Sequence, residues 1–514
     1  MRPHPGAWPL LMLLCGAVSC VPALPPDRDI VIGLANSPSN LDPGVGTDEA
    51  SQKMHQLLYS SLVKIDGSLR VVPDLATRFE TADSQTYVAA IPAGVRFHDG
   101  RTMTAEDVAY TFRRFLNPTF VSSRKGAYKD LASVEVVDAQ TVAFHLVRPS
   151  AAFPISLVMG IVPVGTGAAA ARRPIGSGPY ALGEFVPDDH VRLTPFAGYY
   201  AGPASNTGLT FRVVPDETMR GLELRQGAVD LVINDLSPDL VHGLQEEGRV
   251  RISTAPGTDY AYVGFNLRDP KLADRRLRMA IGYAIDQQAI VSYLRRNLAQ
   301  PATGIVPPMS WAYAADVLRF THDPAQARAL LDAAGFRDPD GPGPAPRLTL
   351  SLKTSTSEPY RLQAAVIQRN LAEVGIAVDV RSYEFATLMA DVLKGNVQLY
   401  TLQWVGVTDP DMLRRAFHSA QVPPIGFNRG YYRNPEADRL IDLASASLDE
   451  HERGRLYQEA QRVIAADVPY ISLWYKTNVA IAQPDLTGVT LSPIADFAFM
   501  KNLSRAPSAK MPRP

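Results

Sequence analysis

Residues 348–402 read LTLSLKTSTSEPYRLQAAVIQRNLAEVGIAVDVRSYEFATLMADVLKGNVQLYTL. Residues 348–352, 376–380 and 397–402 have the short apolar or alternating pattern that is typical of strands. Apolar side chains recur at helical spacing over 360–374, which predicts a helix between the first two strands. Strands that alternate with helices indicate sheets covered by helices, so this stretch predicts an α/β fold.

The same mixture of strands and helices is predicted on the N-terminal side of this stretch. Thr104 has the position of an N-cap with Asp107 as the acidic N3 residue, and Asp323 with Pro324 provides an N-cap followed by proline at N1. Strands are predicted at 29–34, 86–90, 141–146 and 230–233, and helices at 49–62, from 104, at 218–226, at 274–294 and at 323–335.

The length of the chain predicts more than one structural unit. It has 514 residues, and a single hydrophobic core rarely grows past about 250 to 300 residues. We therefore expect two large lobes, or one lobe with an insertion. The 51 basic and 52 acidic residues nearly cancel, and no basic block stands out, which argues against a nucleic-acid partner.

The N-terminus has the features of a secretory signal. Arg2 precedes an apolar run over 8–18, which is followed by Ser19 and Cys20. This run is shorter than the roughly 20 residues that a membrane-spanning helix needs. The two cysteines, Cys15 and Cys20, both lie in this segment, so the mature chain is expected to contain neither a disulfide nor a zinc site.

Residues 17–20 resemble a lipobox, in which the cysteine is lipidated and becomes the first mature residue. We therefore predict a signal peptide over 1–20, a lipid on Cys20 and a periplasmic or cell-surface protein anchored to the membrane. The alternative is cleavage after Ala23, which would release a soluble protein.

Several short motifs occur in a fixed order along the chain, and together they resemble the extracellular solute-binding protein family 5 of ABC importers, which includes dipeptide, oligopeptide and nickel binders. The resemblance extends over about 30–475. Each motif is weak alone, and their common order makes the resemblance strong. The motifs are Asn40-Leu41-Asp42-Pro43, Phe97-His98-Asp99-Gly100, Thr104-Ala105-Glu106-Asp107-Val108, Gly176-Ser177-Gly178-Pro179-Tyr180, Phe265-Asn266, the basic helix 275–284, Ala333-Ala334-Gly335-Phe336, Trp404, Asp409-Pro410 and Tyr432-Arg433-Asn434-Pro435.

The resemblance implies an α/β, two-lobed periplasmic-binding-protein-like fold with an extra subdomain in the first lobe. We expect lobe I to comprise 28–49, 173–258 and 479–514, its inserted subdomain 50–172, and lobe II 259–478. The crossing segments are expected near 255–265 and 470–478. The implied function is to capture a peptide-like solute between the lobes, to close by a hinge motion and to deliver the solute to an ABC permease, without a cofactor.

Five residues are predicted to contact the ligand. Trp404 follows a strand, at the place where the family presents an aromatic side chain to the cleft; the alternative is a tryptophan in the core of its own lobe. Tyr260 and Tyr262 lie on one face of a strand, which is either cleft or core. Asn36 and Ser37 follow the first strand, and they either donate hydrogen bonds to the ligand or form a turn.

The carboxylate that holds the ligand's α-amino group in peptide-binding members of the family is missing from its expected position. This group is an aspartate three residues after the tryptophan, and here that position is Val407. Asp409 is a candidate replacement, but it is also a good helix N-cap before Pro410. An α-ammonium buried without a carboxylate is costly, so the ligand is expected to be an N-blocked, cyclic or non-peptide solute if Asp409 is only a cap.

The sequence contains no motif typical of an enzyme. It has no Gly-x-Ser-x-Gly elbow and no zinc-binding His cluster. Residues 98–100 and 176–179 are predicted to be turns rather than a metal site and a phosphate loop. We therefore predict a binding protein rather than an enzyme. One alternative is a secreted hydrolase such as a glycosidase, because the spacing of carboxylates along a sequence does not identify a catalytic pair. The other is a ligand-sensing partner of a receptor.

Overall fold

The computed structural model describes residues 28–81, 83, 85–341 and 343–506. The predictions for Cys15, Cys20 and Ala23 lie outside these residues. Within the described part of the chain, no helix has the length and apolarity that crossing a membrane requires.

The described chain contains nineteen strands and twelve α-helices. The strands are β1 (Ile30–Leu34), β2 (Val63–Ile65), β3 (Val71–Pro73), β4 (Arg78–Thr81), β5 (Thr86–Ala90), β6 (Leu131–Val136), β7 (Thr141–Leu146), β8 (Tyr180–Val186), β9 (His190–Pro195), β10 (Leu209–Val213), β11 (Leu231–Ile233), β12 (Arg251–Phe265), β13 (Ala299–Pro301), β14 (Leu348–Ser355), β15 (Ile376–Tyr383), β16 (Leu399–Trp404), β17 (Tyr470–Ala482), β18 (Leu486–Thr487) and β19 (Ser504–Arg505). The helices are α1 (Glu49–Leu58), α2 (Ala105–Leu116), α3 (Glu217–Gln226), α4 (Pro238–Glu247), α5 (Arg275–Ala284), α6 (Gln287–Ala289), α7 (Pro324–Ala333), α8 (Glu358–Ala372), α9 (Phe385–Lys394), α10 (Met412–Phe417), α11 (Pro435–Ala446) and α12 (Glu450–Asp467).

The stretch 348–402 forms β14, α8, β15, α9 and β16, so its predicted α/β character is correct. The prediction missed α9. This helix begins after Glu384, whose carboxylate accepts a hydrogen bond from the amide of Ala386. It ends at Gly395, which adopts a left-handed φ of 75° that glycine tolerates without strain. The missed helix therefore has clear caps at both ends, although its apolar spacing alone did not separate it from the neighbouring strands.

The predicted helix over 274–294 is wrong in its continuity. Helix α5 ends at Ala284, and Asp286 then begins a new turn, because its carboxylate accepts a hydrogen bond from the amide of Ala289. The predicted N-caps are confirmed at two other helices. Asp107 accepts a hydrogen bond from the amide of Thr104 at 2.8 Å, and Asp323 accepts one from the amide of Gln326 at 2.9 Å.

One mixed sheet of eleven strands extends through both halves of the protein. Its strand order is β15-β14-β16-β12-β17-β11-β1-β10-β9-β8, with β13 beside β17. Strands β12 and β17 are long and antiparallel, and they belong to both halves. At one end β17 pairs with β11 of the first half through Leu231 and Ala482. At the other end β12 pairs with β16 of the second half through Tyr260 and Trp404.

The two long strands change register where they pass from one half to the other. Pro256 pairs with Thr477, but the next aligned pair is Tyr260 with Tyr475, so residues 257–259 form an irregularity in β12. A bulge of this kind bends a strand and weakens its ladder locally. This register change falls within the expected crossing segments 255–265 and 470–478, and their role as the crossings between the lobes stays a prediction.

A separate four-stranded sheet, in the order β4-β5-β7-β6, packs with α2 around its own core of buried aromatic and aliphatic side chains. It lies within 50–172, where the inserted subdomain is expected.

In the motif at 176–179, a Cβ on Gly176 would overlap the carbonyl oxygen of Leu58, so close backbone packing explains that glycine. The boundaries of the lobes stay a prediction.

Candidate ligand-binding site

Trp404 lies at the end of β16 that points toward the crossing segments. Because β16 is antiparallel to β12 and Trp404 pairs with Tyr260, the chain leaves the sheet beside the irregularity at 257–259. The loop that follows is fastened to this irregularity. The amide of Gly406 donates a hydrogen bond to Asp259 Oδ1 at 2.9 Å, and the amide of Val407 donates one to the carbonyl of Thr258 at 3.2 Å. The predicted aromatic residue is therefore next to the irregular segment of β12. In this conformation it is 7% exposed and packs in the core of lobe II, which is the alternative placement, and its contact with ligand stays a prediction.

Tyr260 and Tyr262 lie on the same face of β12, as the alternation predicted, and their rings stack with centroids 5.7 Å apart. Both side chains are fully buried in the core of lobe II. Tyr262 also stacks on Tyr470, with centroids 4.1 Å apart, and lies 6.5 Å from the centroid of Trp404. In this conformation the two tyrosines belong to the core of lobe II, which is the alternative placement, and their contact with ligand stays a prediction.

Asn36 and Ser37 follow β1 at the edge of the first half that faces the crossing segments. The side chain of Asn36 is exposed. Ser37 Oγ accepts a hydrogen bond from the amide of Asp188 at 3.1 Å, which is typical of loop packing. In open α/β sheets, ligands bind outside the carboxyl ends of the strands, and these residues lie there. They are on the opposite side of the hinge from Trp404.

Asp409 stabilises a turn, but it is not the N-cap of the following helix. Helix α10 begins at Met412 with Asp411 as its N-cap, two residues later than expected. Asp411 is held by Ser445 and Tyr457, whose hydroxyls donate to it at 2.6 and 3.1 Å. The carboxylate of Asp409 accepts a hydrogen bond from the amide of Asp411 at 2.7 Å. Burial, together with repulsion from Asp411, raises the pKa of Asp409 to about 6.

The side chain of Val407 points away from solvent. It is 2% exposed and packs in the core of lobe II, in the same cluster as Trp404 and Leu413. This position therefore supplies an apolar side chain to the core and no charge to a ligand. Asp409 and Asp411 are the nearest carboxylates along the chain, and both accept hydrogen bonds from protein groups.

Sequence reasoning missed Arg429, which lies on Trp404. The guanidinium carbon is 4.5 Å from the centroid of a Trp404 ring and 5.5 Å from that of Phe427. Arg429 Nη1 donates a hydrogen bond to the hydroxyl of Tyr262 at 3.3 Å. The residue is 8% exposed. It precedes the motif Tyr432-Arg433-Asn434-Pro435, and its sequence context gave no signal for a buried cation.

The inserted subdomain and lobe II meet on the other side of the candidate cleft. The amide of Ala151 donates a hydrogen bond to the carbonyl of Ser445 at 3.0 Å, and Arg70 pairs with Glu450 at 2.6 Å. Both partners in lobe II lie at the ends of the helix pair α11 and α12. Trp404, Asp409 and Arg429 thus lie between this contact and the hinge.

Two concave regions lie elsewhere in lobe II. A cavity of about 280 Å³ lies between the sheet and α12, and its lining includes Tyr260, Phe417 and Tyr470 but not Trp404. An open polar depression contains Arg268 and Lys353, at the end of β16 far from the hinge. Among the described residues, no group of three or more His, Cys, Asp or Glu side chains is arranged to hold a metal ion.

Comparisons with known proteins agree with this architecture. Residues 70–422 match the model of the bacterial extracellular solute-binding proteins, family 5. The glutathione-binding protein GsiB of Salmonella choleraesuis is 30% identical over 508 residues, which cover 96% of this chain and 97% of the relative. The oligopeptide-binding protein AppA of Bacillus subtilis is 28% identical over 492 residues, which cover 91% of this chain and 90% of AppA.

The chain belongs to the bacterial extracellular solute-binding proteins of family 5. The crystal structure of Bacillus subtilis AppA in complex with a nonapeptide superposes with a TM-score of 0.76 at 26% identity, covering 94% of this chain and all of that one. The substrate-binding protein CtaP of Listeria monocytogenes has a TM-score of 0.84 at 23% identity, covering 94% of this chain and 100% of CtaP, and it supports the fold alone. The predicted two-lobed fold is confirmed.

Family membership also confirms the predicted role. The chain is the extracytoplasmic substrate-binding component of an ABC importer. The comparisons support this role rather than that of a secreted hydrolase or a receptor partner. The family and the relatives are binding proteins rather than enzymes.

Proposed function

We propose that this protein captures a peptide-like solute between its two lobes and delivers it to the membrane subunits of its importer without chemically changing it. The relatives GsiB and AppA are named for glutathione and oligopeptides, which makes short peptides and their derivatives the first ligand class to test. The observation that carries the proposal is the position of Trp404 beside the hinge, on a loop fastened to Thr258 and Asp259.

The ligand is proposed to bridge the two lobes. Trp404 and Asp409 approach it from lobe II, with Tyr260 and Tyr262 beneath Trp404, and Asn36 and Ser37 approach it from lobe I. A flat aromatic face packs against many side chains without requiring one shape, which suits a solute of variable composition. Contacts on both sides of the hinge favour the closed form, because a ligand shifts an equilibrium only by its differential affinity for the two states. The permease then recognises the closed surface.

The protein is proposed to act at the membrane surface. The signal peptide and Cys20 would place it in the periplasm or on the cell surface with a lipid at its N-terminus. A lipid with two acyl chains gives stable anchoring, whereas a single chain is marginal.

Mass spectrometry of the small molecules that are released when the purified protein is denatured tests the ligand class. We expect peptides or modified peptides in a ratio of about one per protein. Glutathione and mixed tripeptides, added to ligand-free protein, should raise its melting temperature and stay intact on prolonged incubation. Turnover of peptides or glycosides would support the hydrolase instead, and a co-purified solute without any amide bond would contradict the peptide-like class.

A further inference from the structure

Arg429 is a buried cation without a carboxylate partner. Its guanidinium lies over the rings of Trp404 and Phe427, 4.5 and 5.5 Å from their centroids. Within the described part of the chain, Nη1 is the one nitrogen of Arg429 that donates a hydrogen bond, to Tyr262 at 3.3 Å. Its Nε atom is buried without an acceptor. Within the described residues, no acidic side chain forms an ion pair with it. A charge that is removed from water without a partner is costly, so Arg429 needs an explanation.

Three other arginines of this chain that have buried side chains have acceptors. Arg220 donates to the carbonyls of Val214, Pro215 and Asp235. Arg278 donates to four carbonyls, those of Leu272, Ala273, Asp467 and Val468. Arg347, with a side chain that is 7% exposed, pairs with Asp332. Arg429 has one weak acceptor. Arg295 and Arg453, which lie over Trp474 and Trp311, also have a buried Nε without an acceptor, so what distinguishes Arg429 is its position on Trp404.

The side chains that surround Arg429 also contain buried polar atoms. The indole Nε1 of Trp404, which can only donate, is buried without an acceptor. The hydroxyls of Tyr400 and Tyr470 are buried in the same cluster, and each can donate or accept. The rings of these three residues all contact Tyr262, with centroids between 4.1 and 6.5 Å from its own. One contiguous aromatic cluster therefore contains a guanidinium and an indole N–H that lack acceptors. A negatively charged acceptor would satisfy both.

Arg429 is held in place by its neighbour in the chain. The side-chain Nδ2 of Asn428 donates to the carbonyls of Phe417, His418 and Tyr432, and its Oδ1 accepts from the backbone amide of Tyr432. Asn428 is 1% exposed. The backbone that carries Arg429 is therefore fixed. Phe427, whose ring lies beside the guanidinium, is partly exposed.

We propose that Arg429 binds an anionic group of the transported solute, most simply a carboxylate, beside the face of Trp404. The proposal rests on the proposed function and identifies a class of ligand within it: solutes with a free carboxylate next to an apolar or aromatic part. Bidentate contact with a carboxylate is the geometry that guanidinium favours.

The test uses a mixture of N-acetylated tripeptides, prepared once as free acids and once as carboxamides. Acetylation converts the α-amino group to a neutral amide, so that no peptide carries a terminal cation. The free acid and the carboxamide of one peptide then differ only in the C-terminal carboxylate. Retained peptides are identified by mass spectrometry after ultrafiltration, and matched pairs are then measured by calorimetry. We expect the acids to bind about 10 to 100 times more tightly than the amides, the range of a charge-assisted hydrogen bond.

Three variants complete the experiment. Arg429→Gln should abolish the preference for acids, and Arg429→Lys should keep part of it, because the charge remains but the planar fork is lost. Arg347→Gln is the matched control, since it also removes a buried arginine of lobe II but lies away from Trp404; it should keep the full preference. Equal binding of acids and amides by the wild type, or a preference that survives in Arg429→Gln, would overturn the proposal.

Failure of the proposed function gives a different result. If the wild type retains neither acids nor amides, the peptide-like ligand is contradicted, and the same variants are tested with a mixture of aliphatic and aromatic carboxylic acids and their amides. Selective retention of acids by the wild type and Arg347→Gln, but not by Arg429→Gln, would support an anion-binding site at Arg429 for a solute that is not a peptide. Retention of no acid would overturn it.

Discussion

The amide of Val407 donates a hydrogen bond to the carbonyl of Thr258 at 3.2 Å. This contact joins the loop after Trp404 to the irregular segment where β12 passes between the lobes. Asp259 reinforces it, because its carboxylate accepts hydrogen bonds from the amide of Gly406 and from Gln403 Nε2. The side of the cleft that carries Trp404 is therefore mechanically connected to the hinge, so that a change at either place is expected to affect the other.

Loss of the Asp259 contacts should weaken ligand binding. Asp259→Ala frees the loop from the hinge, and we expect about tenfold weaker binding of a confirmed ligand by calorimetry, since a loop that is ordered only on binding reduces affinity. Asp269→Ala is the matched control, because Asp269 accepts a hydrogen bond from Gln398 Nε2 at 3.0 Å at the other end of β16. The free energy of unfolding of Asp269→Ala should fall by a similar amount, about 1 kcal/mol, and its affinity for the ligand should be unchanged. Equal effects of both variants on affinity would contradict the connection.

Ligand binding should close the two lobes about the crossing strands. The register change between Pro256 and Tyr260 leaves residues 257–259 outside the regular ladder, and a few such residues can absorb the change in backbone angles of a hinge. Small-angle scattering with saturating ligand should give a smaller radius of gyration than without it. An unchanged radius for a ligand whose binding is confirmed by calorimetry would count against a hinge mechanism.

Peptides with a free α-amino group should bind no better than their N-acetylated forms. Val407 is buried in the core of lobe II and has no carboxylate. We expect the carboxylate of Asp409 to stabilise the turn in which it accepts from the amide of Asp411, rather than to hold a ligand's ammonium. A charge-assisted hydrogen bond contributes about 1.5 to 3 kcal/mol, and its absence leaves the ammonium desolvated. Calorimetry of matched peptide pairs measures the difference. A tenfold preference for the free amine that disappears in Asp409→Asn would show that Asp409 has replaced the missing anchor.

The pKa of Asp409 predicts a pH-dependent stability. Burial and Asp411 raise this pKa from 3.8 to about 6, so the folded state favours the protonated form. The wild type should therefore lose stability relative to Asp409→Asn as the pH rises from about 4 to about 6, by about 1 to 3 kcal/mol in total. Urea unfolding of both proteins between pH 4 and pH 7 measures the difference. A constant difference over this range would mean that the carboxylate is solvated in the folded protein.

The mature protein should carry a lipid on Cys20. The small residues before this cysteine predict lipidation, and two acyl chains would retain the protein in a membrane fraction. Mass spectrometry of the N-terminal peptide from that fraction decides the question, with Cys20→Ser as the control that should abolish the modification. An unmodified N-terminus at Leu24 would show that cleavage follows Ala23 instead.

Local patterns in the sequence were sufficient for the fold class and for many of its elements. Capping residues such as Thr104 and Asp323 act within a few positions of the chain, so they could be recognised without knowing what packs against them. The ordered motifs identified the family. Where the sequence failed locally, at α9 and at the break after Ala284, the apolar spacing was compatible with more than one structure, and caps at Glu384 and Asp286 decided the outcome.

The tertiary structure decided the environment of the site. The sequence placed Trp404 at the end of a strand and Tyr260 and Tyr262 on one face of another, but only the pairing of β16 with β12 brings these residues together beside the hinge. Arg429 follows Trp404 by 25 positions in the sequence, and no periodic pattern links them. Its burial without a carboxylate depends on which side chains the fold places around it, because charge and desolvation are determined in space and not along the chain.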